Sequence, residues 1–346
     1  MKSCKYPLAI NGSDTDYETL LSNISTVLEE GRRKAFRAIN GILVQTYWEI
    51  GRRILEFEHS NGEKAEYGSG LFEKIAHDLR MRCGKGFSRS NVIYMRLLYM
   101  KYPKNQTLSD QLAWSHYTEL LAIEDDMERR FYEKQCIADG WSVRELRRQI
   151  ESALFHRIAL SKDRKGVLEL SKKGIVVRRA EDIVKEPYVL EFLNLPENYR
   201  CSERGLEQGL IDNMQKFLLE LGRGFTFVGR QFRMTIGNTH YYVDLVFYHR
   251  ILRCFVLIDL KIGKVSHMDV GQMNMYLNYF KSEENSEGDV DPIGIVLAAK
   301  KNDVEVEYAL GGISNKLFVS RYKLFLPDKK ELETELKSLL EGAGNL

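Results

Sequence analysis

One aspartate constrains this chain more than any other residue. The run Tyr241-Tyr-Val-Asp-Leu-Val-Phe-Tyr248 is apolar or aromatic everywhere except Asp244, so it predicts a buried strand with a carboxylate inside it. A carboxylate buried without a partner is costly enough that the fold must bring it a cation, a metal ion or a set of donors. The next apolar run, Cys254-Phe-Val-Leu-Ile-Asp-Leu-Lys261, ends in candidates. Strand side chains alternate, so Asp259 and Lys261 leave from one face, and a connection through His249–Arg253 makes Asp244 their neighbour. Two carboxylates and an ammonium at a strand end are a seat for Mg2+ or Mn2+. Such an ion polarises a phosphodiester and lowers the pKa of a bound water, while Lys261 can orient that water and stabilise charge growing on the phosphate. The plain alternative is a buried Asp244–Lys261 salt bridge, which explains one pair but not the second carboxylate.

The surrounding pattern predicts an α/β unit. Leu206–Leu221 has the spacing of one amphipathic helix, ended by Gly222 and Gly224. Strand-like runs follow at Thr226–Ile236, Tyr241–Tyr248 and Cys254–Leu260, with a turn at Gly237-Asn238. A helix fits Met268–Phe280, a buried strand Ile293–Ala298, and a further strand Leu317–Leu326. Glu207 lies on the first helix and can add a third carboxylate. Gln272 and Tyr276, four residues apart, share a helix face and can contact a phosphate or hold Lys261. Arg230 and Gln231 fall near enough to meet a phosphate, and His249 is a lesser candidate for substrate contact.

The N-terminal half reads as helices. Apolar positions at helical spacing run from Tyr17 to Leu55 and stop at Ser60-Asn61-Gly62. Leu71–Met81 is a second helix, Gly84-Lys85-Gly86 a break, and Ser88 the N-cap of a third over Arg89–Met100. Helices near Trp114–Ala122, Met127–Ala138 and Ser142–His156 complete the half. The second and third have helix-turn-helix proportions, which would present Lys85, Arg89, Ser90, Asn91, Tyr94 and Arg96 to DNA. The bland reading is a simple helix–glycine–helix bundle corner. Arg144, Arg147 and Arg148 form a second basic cluster, read as a solvated face or partner surface. Trp48, Trp114 and Trp141 fit core anchors better than stacking platforms. The expected organisation is a helical, DNA-binding-like domain over 1–157, a charged connector over 158–200 in which Pro187–Leu195 can dock on a neighbour, and a catalytic α/β domain over 201–335.

With 346 residues, 44% of them hydrophobic, the chain has material for two cores. Charged residues at 29% argue against a membrane protein. The five cysteines are scattered with no CxxC pair, which disfavours a disulfide framework or a cysteine zinc site and suits a reducing cytoplasm. A net charge of +2 leaves a nucleic-acid partner to local basic patches. No motif for a nucleotide cofactor is evident.

The order Glu207, Asp244, Asp259-Leu260-Lys261 and Gln272-x-x-x-Tyr276 resembles the PD-(D/E)xK nucleases, the last motif being similar to their RecB-like branch. The segments Gln45-Thr-Tyr-Trp-Glu-Ile-Gly51, Trp114-Ser-His-Tyr117, Trp141-Ser-Val-Arg-Glu-Leu146, Pro187-Tyr-Val-Leu-Glu-Phe-Leu193, Phe227-Val-Gly-Arg-Gln231 and Asp244-Leu-Val-Phe-Tyr-His249 resemble the YhcG (DUF1016) family from about residue 17 to about 330. The resemblance implies an N-terminal all-helical domain, winged-helix or helix-turn-helix-like, before a restriction-endonuclease-like α/β domain with a mixed central sheet. It also implies a metal-dependent DNA nuclease with Asp244, Asp259 and the Leu260 carbonyl as metal ligands. Nucleases of this kind often need two copies to cut two strands, so a homo-oligomer is in view. The chain departs from the pattern at Val243, where a proline often precedes the aspartate, and at Asp259, where the family usually has glutamate. Two rivals remain: a non-catalytic DNA-binding or assembly protein on an inactive nuclease fold, and an RNA substrate, for which no aromatic-rich binding signature is seen.

Overall fold

The computed structural model describes residues 14–60, 70–104, 108–160, 162, 164–195 and 202–342. It divides into two compact units, Met1–Ala122 and Ile123–Leu346.

Among its described residues the first unit is helical throughout, with no strand to form a wing: α1 (Asp14–Ser60), α2 (Leu71–Cys83), α3 (Arg89–Lys101) and α4 (Trp114–Leu121). The Ser88 hydroxyl caps α3 by accepting the Asn91 N–H. The C-terminal part of the 47-residue α1 packs on α3. A Cβ at Gly51 would lie 2.0 Å from the Met95 carbonyl oxygen, so only glycine permits that approach. Trp48 donates to the Tyr102 carbonyl at 2.7 Å, and Tyr47 meets Trp114 edge-on at 4.7 Å, as core anchors do.

The second unit begins with α5 (Asp126–Asp139), α6 (Val143–Glu151), α7 (Leu154–Ala159) and α8 (Arg164–Lys173). By packing, α5–α7 lie in the compact unit that holds the sheet. The single helix expected over Ser142–His156 is two, because Ala153 is left-handed (φ 51°). That bend aims Arg157 at the centre of the unit, where it binds Glu220 at 2.7 Å with both side chains fully buried. Arg148 reaches Glu191 at 2.8 Å and Glu220 at 3.4 Å, so it is an internal strut rather than part of a solvated basic face.

Then come β1 (Tyr188–Val189), α9 (Glu203–Asp212), α10 (Met214–Leu221), β2 (Phe225–Ile236), β3 (Thr239–His249), β4 (Cys254–Lys264), α11 (His267–Tyr279), β5 (Ile293–Lys300), α12 (Asp303–Leu310), β6 (Lys316–Lys323) and α13 (Lys329–Gly342). The expected helix over Leu206–Leu221 breaks at Asn213, whose side-chain amide donates to the Gly209 carbonyl at 3.0 Å. The sheet is mixed, in the order β1-β6-β5-β4-β3-β2, with β4, β5, β6 and β1 parallel and the β2–β3–β4 meander antiparallel. One face packs on α9, α10 and the segment before them; the other packs on α11. The connector is part of this fold: β1 adds an edge strand beside β6, and Tyr188, Val189 and Leu190 are fully buried. No helix among the described residues is long and apolar enough to cross a membrane.

Candidate active site

The site forms where the β3–β4 hairpin opens. Paired register between these strands runs from His249↔Cys254 to Leu245↔Ile258 and stops. One residue further, the Leu260 N–H donates to Asp244 Oδ2 at 2.8 Å, so a side chain takes the place of the next ladder rung. Strict alternation also slips here: Val243 and Val246 face the α11 side, while Leu245 and Phe247 face the α9–α10 side.

Gln231 sits opposite this irregularity on β2, between the Arg230↔Leu245 and Phe232↔Val243 pairs. Its backbone is left-handed (φ 46°), a conformation that costs a non-glycine residue on the order of 1–2 kcal/mol. The amide Nε2 donates to Glu207 Oε2 at 2.8 Å and to Asp244 Oδ1 at 3.0 Å. One side chain thus ties the α9 carboxylate to the β3 carboxylate.

On β4 the Lys261 ammonium lies 2.9 Å from Asp259 Oδ2 and 3.7 Å from Asp269 Oδ1. Asp269 was not anticipated from the sequence. It is the third residue of α11 and forms a capping box with Ser266, a Ser-x-x-acid signature that was legible as a helix start but not as a site contact. Asp259 is only 5% exposed. Burial, reinforced by the neighbouring Asp244 carboxylate, pushes its carboxyl up to about 7 despite Lys261. Burial also raises Glu207. The Lys261 ammonium is held above its usual range by Asp259 and further acids, against the effect of its burial. Tyr276 is pushed up to about 12, by burial first and then by Asp259, and a hydrogen bond with Gln272 opposes the rise. Glu207, Gln231, Asp244, Asp259, Lys261, Gln272 and Tyr276 therefore form one connected constellation. Arg230 stands at its rim, donating to Gln208 Oε1 at 2.8 Å.

The donor set suits a hard divalent cation. Two carboxylates of different strands converge beside one ammonium, and burial together with the neighbouring Asp244 raises the Asp259 carboxyl. Leu260 is engaged through its N–H.

Other sequence candidates are used differently. His249 is fully buried; its Nδ1 accepts the Leu252 N–H at 3.1 Å and its Nε2 lies 3.1 Å from the Arg223 carbonyl. It fixes the hairpin and its ring is closed to substrate. In the first unit Asn91 donates to the Gly86 carbonyl at 2.7 Å, and Arg96 pairs with Glu58 at 2.5 Å, so both serve the helix packing. Arg89 pairs with Glu73. Lys85, Arg89 and Ser90 are exposed around the turn, and Tyr94 is half-buried beside them. A separate group, Glu128, His156 and Glu333, brings ligand atoms within 4.8 Å of one another. Lys329 already sits in it, 2.9 Å from Glu128 Oε1 and 3.7 Å from Glu333 Oε1.

Residues 181–337 match the family model described as the YhcG PDDEXK nuclease domain, and residues 23–157 match the DUF1016 N-terminal domain. The YhcG protein of Escherichia coli (strain K12) is 38% identical over an alignment of 357 residues that spans 94% of this chain and 95% of that protein. Among solved structures, a repair endonuclease from Pyrococcus abyssi matches with TM-score 0.27 and 22% identity, over 38% of this chain and 50% of that one. A complex of EndoMS with double-stranded DNA matches with TM-score 0.27 and 16% identity over the same shares. The chain belongs to the YhcG family and carries that family's PDDEXK nuclease domain behind a DUF1016 N-terminal domain.

Proposed function

We propose that this chain hydrolyses DNA phosphodiester bonds with the help of a divalent cation, Mg2+ or Mn2+. The observation that carries the reading is the meeting of Asp244, Asp259 and Lys261 at the open end of the β3–β4 hairpin, where Lys261 lies 2.9 Å from Asp259 and Asp244 raises the Asp259 pKa. Asp244 and Asp259 would hold the cation, with the Leu260 carbonyl as a third oxygen and Glu207 nearby. When bound, the ion polarises the phosphate and supplies a hydroxide-like nucleophile near neutral pH. Lys261 offers a fixed positive charge for the phosphate oxygen on which negative charge grows. Asp259 and Asp269 hold its Nζ in place. Gln231 holds Asp244 and Glu207 at a set separation. Gln272 and Tyr276 buttress the α11 side. In the first unit, the turn between α2 and α3, with Lys85, Arg89, Ser90 and Tyr94, is the proposed DNA-contacting surface.

The test is a cleavage assay over linear, nicked, branched and single-stranded DNA, with RNA as a comparison and with Mg2+ or Mn2+ added. Cation-dependent cleavage of DNA that Asp244→Ala and Lys261→Ala both abolish is expected. Cleavage undiminished in both folded variants overturns the assignment. DNA binding without cleavage on any substrate or cation would instead support the non-catalytic reading.

A further inference from the structure

The N-terminal part of α1 carries an apolar surface that its own unit leaves bare. Ten large apolar side chains between Tyr17 and Leu43 are each 37–69% exposed, a patch far beyond ordinary surface scatter. At 100° per residue, Tyr17, Leu21, Ile24, Leu28, Ile39 and Ile42 fall within a sector of about 60°. The buried face of the same helix, marked by Val44 and by Gly51 against Met95, lies roughly half a turn away. The stripe is therefore a second face and not an extension of the core.

Two features of the stripe identify what covers it. The first is size. Its N-terminal half carries Leu21, Ile24 and Leu28, while the half that follows carries Gly31, Ala35 and Ala38 at the corresponding positions. The second is charge. Residues 17–30 contain Glu18, Glu29 and Glu30 and no lysine or arginine; residues 31–43 contain Arg32, Arg33, Lys34 and Arg37 and no acid. The helix is thus self-complementary when a copy runs against it head to tail. Centred between Glu29 and Glu30, antiparallel pairing sets Leu28 against Gly31, Ile24 against Ala35, Leu21 against Ala38 and Tyr17 against Ile42. The four bases of each copy then lie opposite Val27, Thr26, Ser25 and Ser22 of the other and not opposite one another, while Glu29 and Glu30 meet across the axis with Arg32 and Arg33 two to four residues further on. Parallel pairing stacks large on large, leaves a hollow at Gly31 and Ala35, and sets like charges together. Nothing lies within 4 Å of a Cβ built on Gly31, so the crossing point is open to a close helix approach.

We propose that two copies of this chain dimerise through residues 17–43 of α1, packed antiparallel about a two-fold axis near Glu29-Glu30. The arrangement is isologous, so it closes at two copies. It does not depend on the nuclease reading.

The test is sedimentation or light scattering of the full-length chain across a concentration series without divalent cation. The expected mass is twice 40.2 kDa at micromolar concentration, falling to 40.2 kDa in Ile24→Asp/Leu28→Asp. Circular dichroism checks that this variant keeps its helices. Leu21→Ala/Leu28→Ala, which keeps helix propensity, should weaken self-association at least tenfold if the harsher pair misfolds. Orientation is read by cross-linking: Ile24→Cys/Ala35→Cys should join two chains while Ile24→Cys alone does not, with wild type run alongside to report its exposed Cys83. A wild-type mass of one chain at every concentration overturns the proposal, whatever else covers the stripe. So does a dimer that both stripe variants leave intact, or efficient cross-linking by Ile24→Cys alone.

Discussion

The second unit buries two clusters of charge, and they are built on opposite principles. Around Glu220, which is fully buried, stand Arg157 at 2.7 Å, Arg148 at 3.4 Å and Lys185, whose ammonium donates to the Glu220 carbonyl. Its Oε1 also accepts the Val189 N–H at 3.0 Å. Burial alone would raise this carboxyl, yet the cations, Arg157 first, hold it down to about 2. Around Asp259 the balance is reversed: one ammonium lies between Asp259 and Asp269, the neighbouring Asp244 adds negative charge, and burial with that charge raises the carboxyl to about 7. The first cluster is saturated and clamps the β1 segment to α10 and to the bend before α7. The second is short of positive charge at an opening in the sheet. Burial of an acid does not by itself mark a structural clamp; the two clusters differ in whether the charge is already answered within the chain, which is why the second is the candidate site.

The largest effect expected is on cleavage. Asp244→Ala or Lys261→Ala should lower DNA hydrolysis by about a thousandfold or more while leaving the thermal transition cooperative. Glu220→Gln should leave the chemistry of the remaining folded enzyme within a few-fold of wild type. If Glu220→Gln removed turnover as thoroughly as Lys261→Ala in equally folded proteins, the two clusters would not divide in this way.

Stability should divide them with the opposite sign. Glu220→Ala leaves three cations facing a vacancy and should cost about 3–5 kcal/mol. Asp259→Asn relieves an unsaturated, buried acid pair and should stabilise the cation-free protein by about 1–3 kcal/mol near neutral pH. Added Mg2+ should stabilise wild type but not that variant. Urea unfolding of the three proteins with and without Mg2+ measures all of this, and an Asp259→Asn protein weaker than wild type in the absence of cation would refute the charge-deficit account.

Acid titration sharpens the same contrast. The Glu220 carboxyl titrates near 2 in the folded chain and near 4.5 when unfolded. Its stabilising contribution is complete above pH 4.5 and disappears as pH falls from 4.5 towards 2, a loss on the order of 3 kcal/mol. Wild type should therefore lose more stability across that window than Glu220→Gln. Parallel stability–pH curves for the two would show that Glu220 is not the charged centre of the clamp.

How much of this could be read from the sequence follows from the range of each interaction. Asp244, Asp259 and Lys261 were legible because charge in an apolar strand is a local anomaly and strand alternation fixes direction. The α2–α3 break was legible from Gly84, Gly86 and the Ser88 cap. Glu220 was not, since a glutamate on an amphipathic helix reads as its wet face until Arg148, Arg157 and Lys185 arrive from well upstream in the chain. The bend at Ala153 and the break at Asn213 stayed hidden because neither residue is a strong helix breaker; tertiary pairing of Arg157 and local hydrogen bonding of Asn213 decide them. The Ser142–His156 stretch consequently read as one helix. His249 read as near the site because sequence distance to Asp244 is short, but it lies five residues along the strand and is consumed by the hairpin turn.

Gln231 provides the smallest and most discriminating test, because it combines a strained backbone with a side chain that bridges Glu207 and Asp244. Replacing it by glycine keeps the left-handed backbone at ease and removes the amide; replacing it by alanine removes the amide and keeps the strain. Gln231→Gly should be more stable than Gln231→Ala by about 1 kcal/mol, since only glycine occupies positive φ freely. Both should lose about tenfold in kcat, because Asp244 Oδ1 and Glu207 Oε2 lose their common donor and the acids are free to spread. Measuring kcat and the urea midpoint for the two variants separates backbone from side chain. Full activity in Gln231→Gly would mean that the backbone turn alone positions Asp244. Equal stability of the two would mean that the positive φ is no burden, and the site's strain would then have to be sought in the split of the β3–β4 ladder.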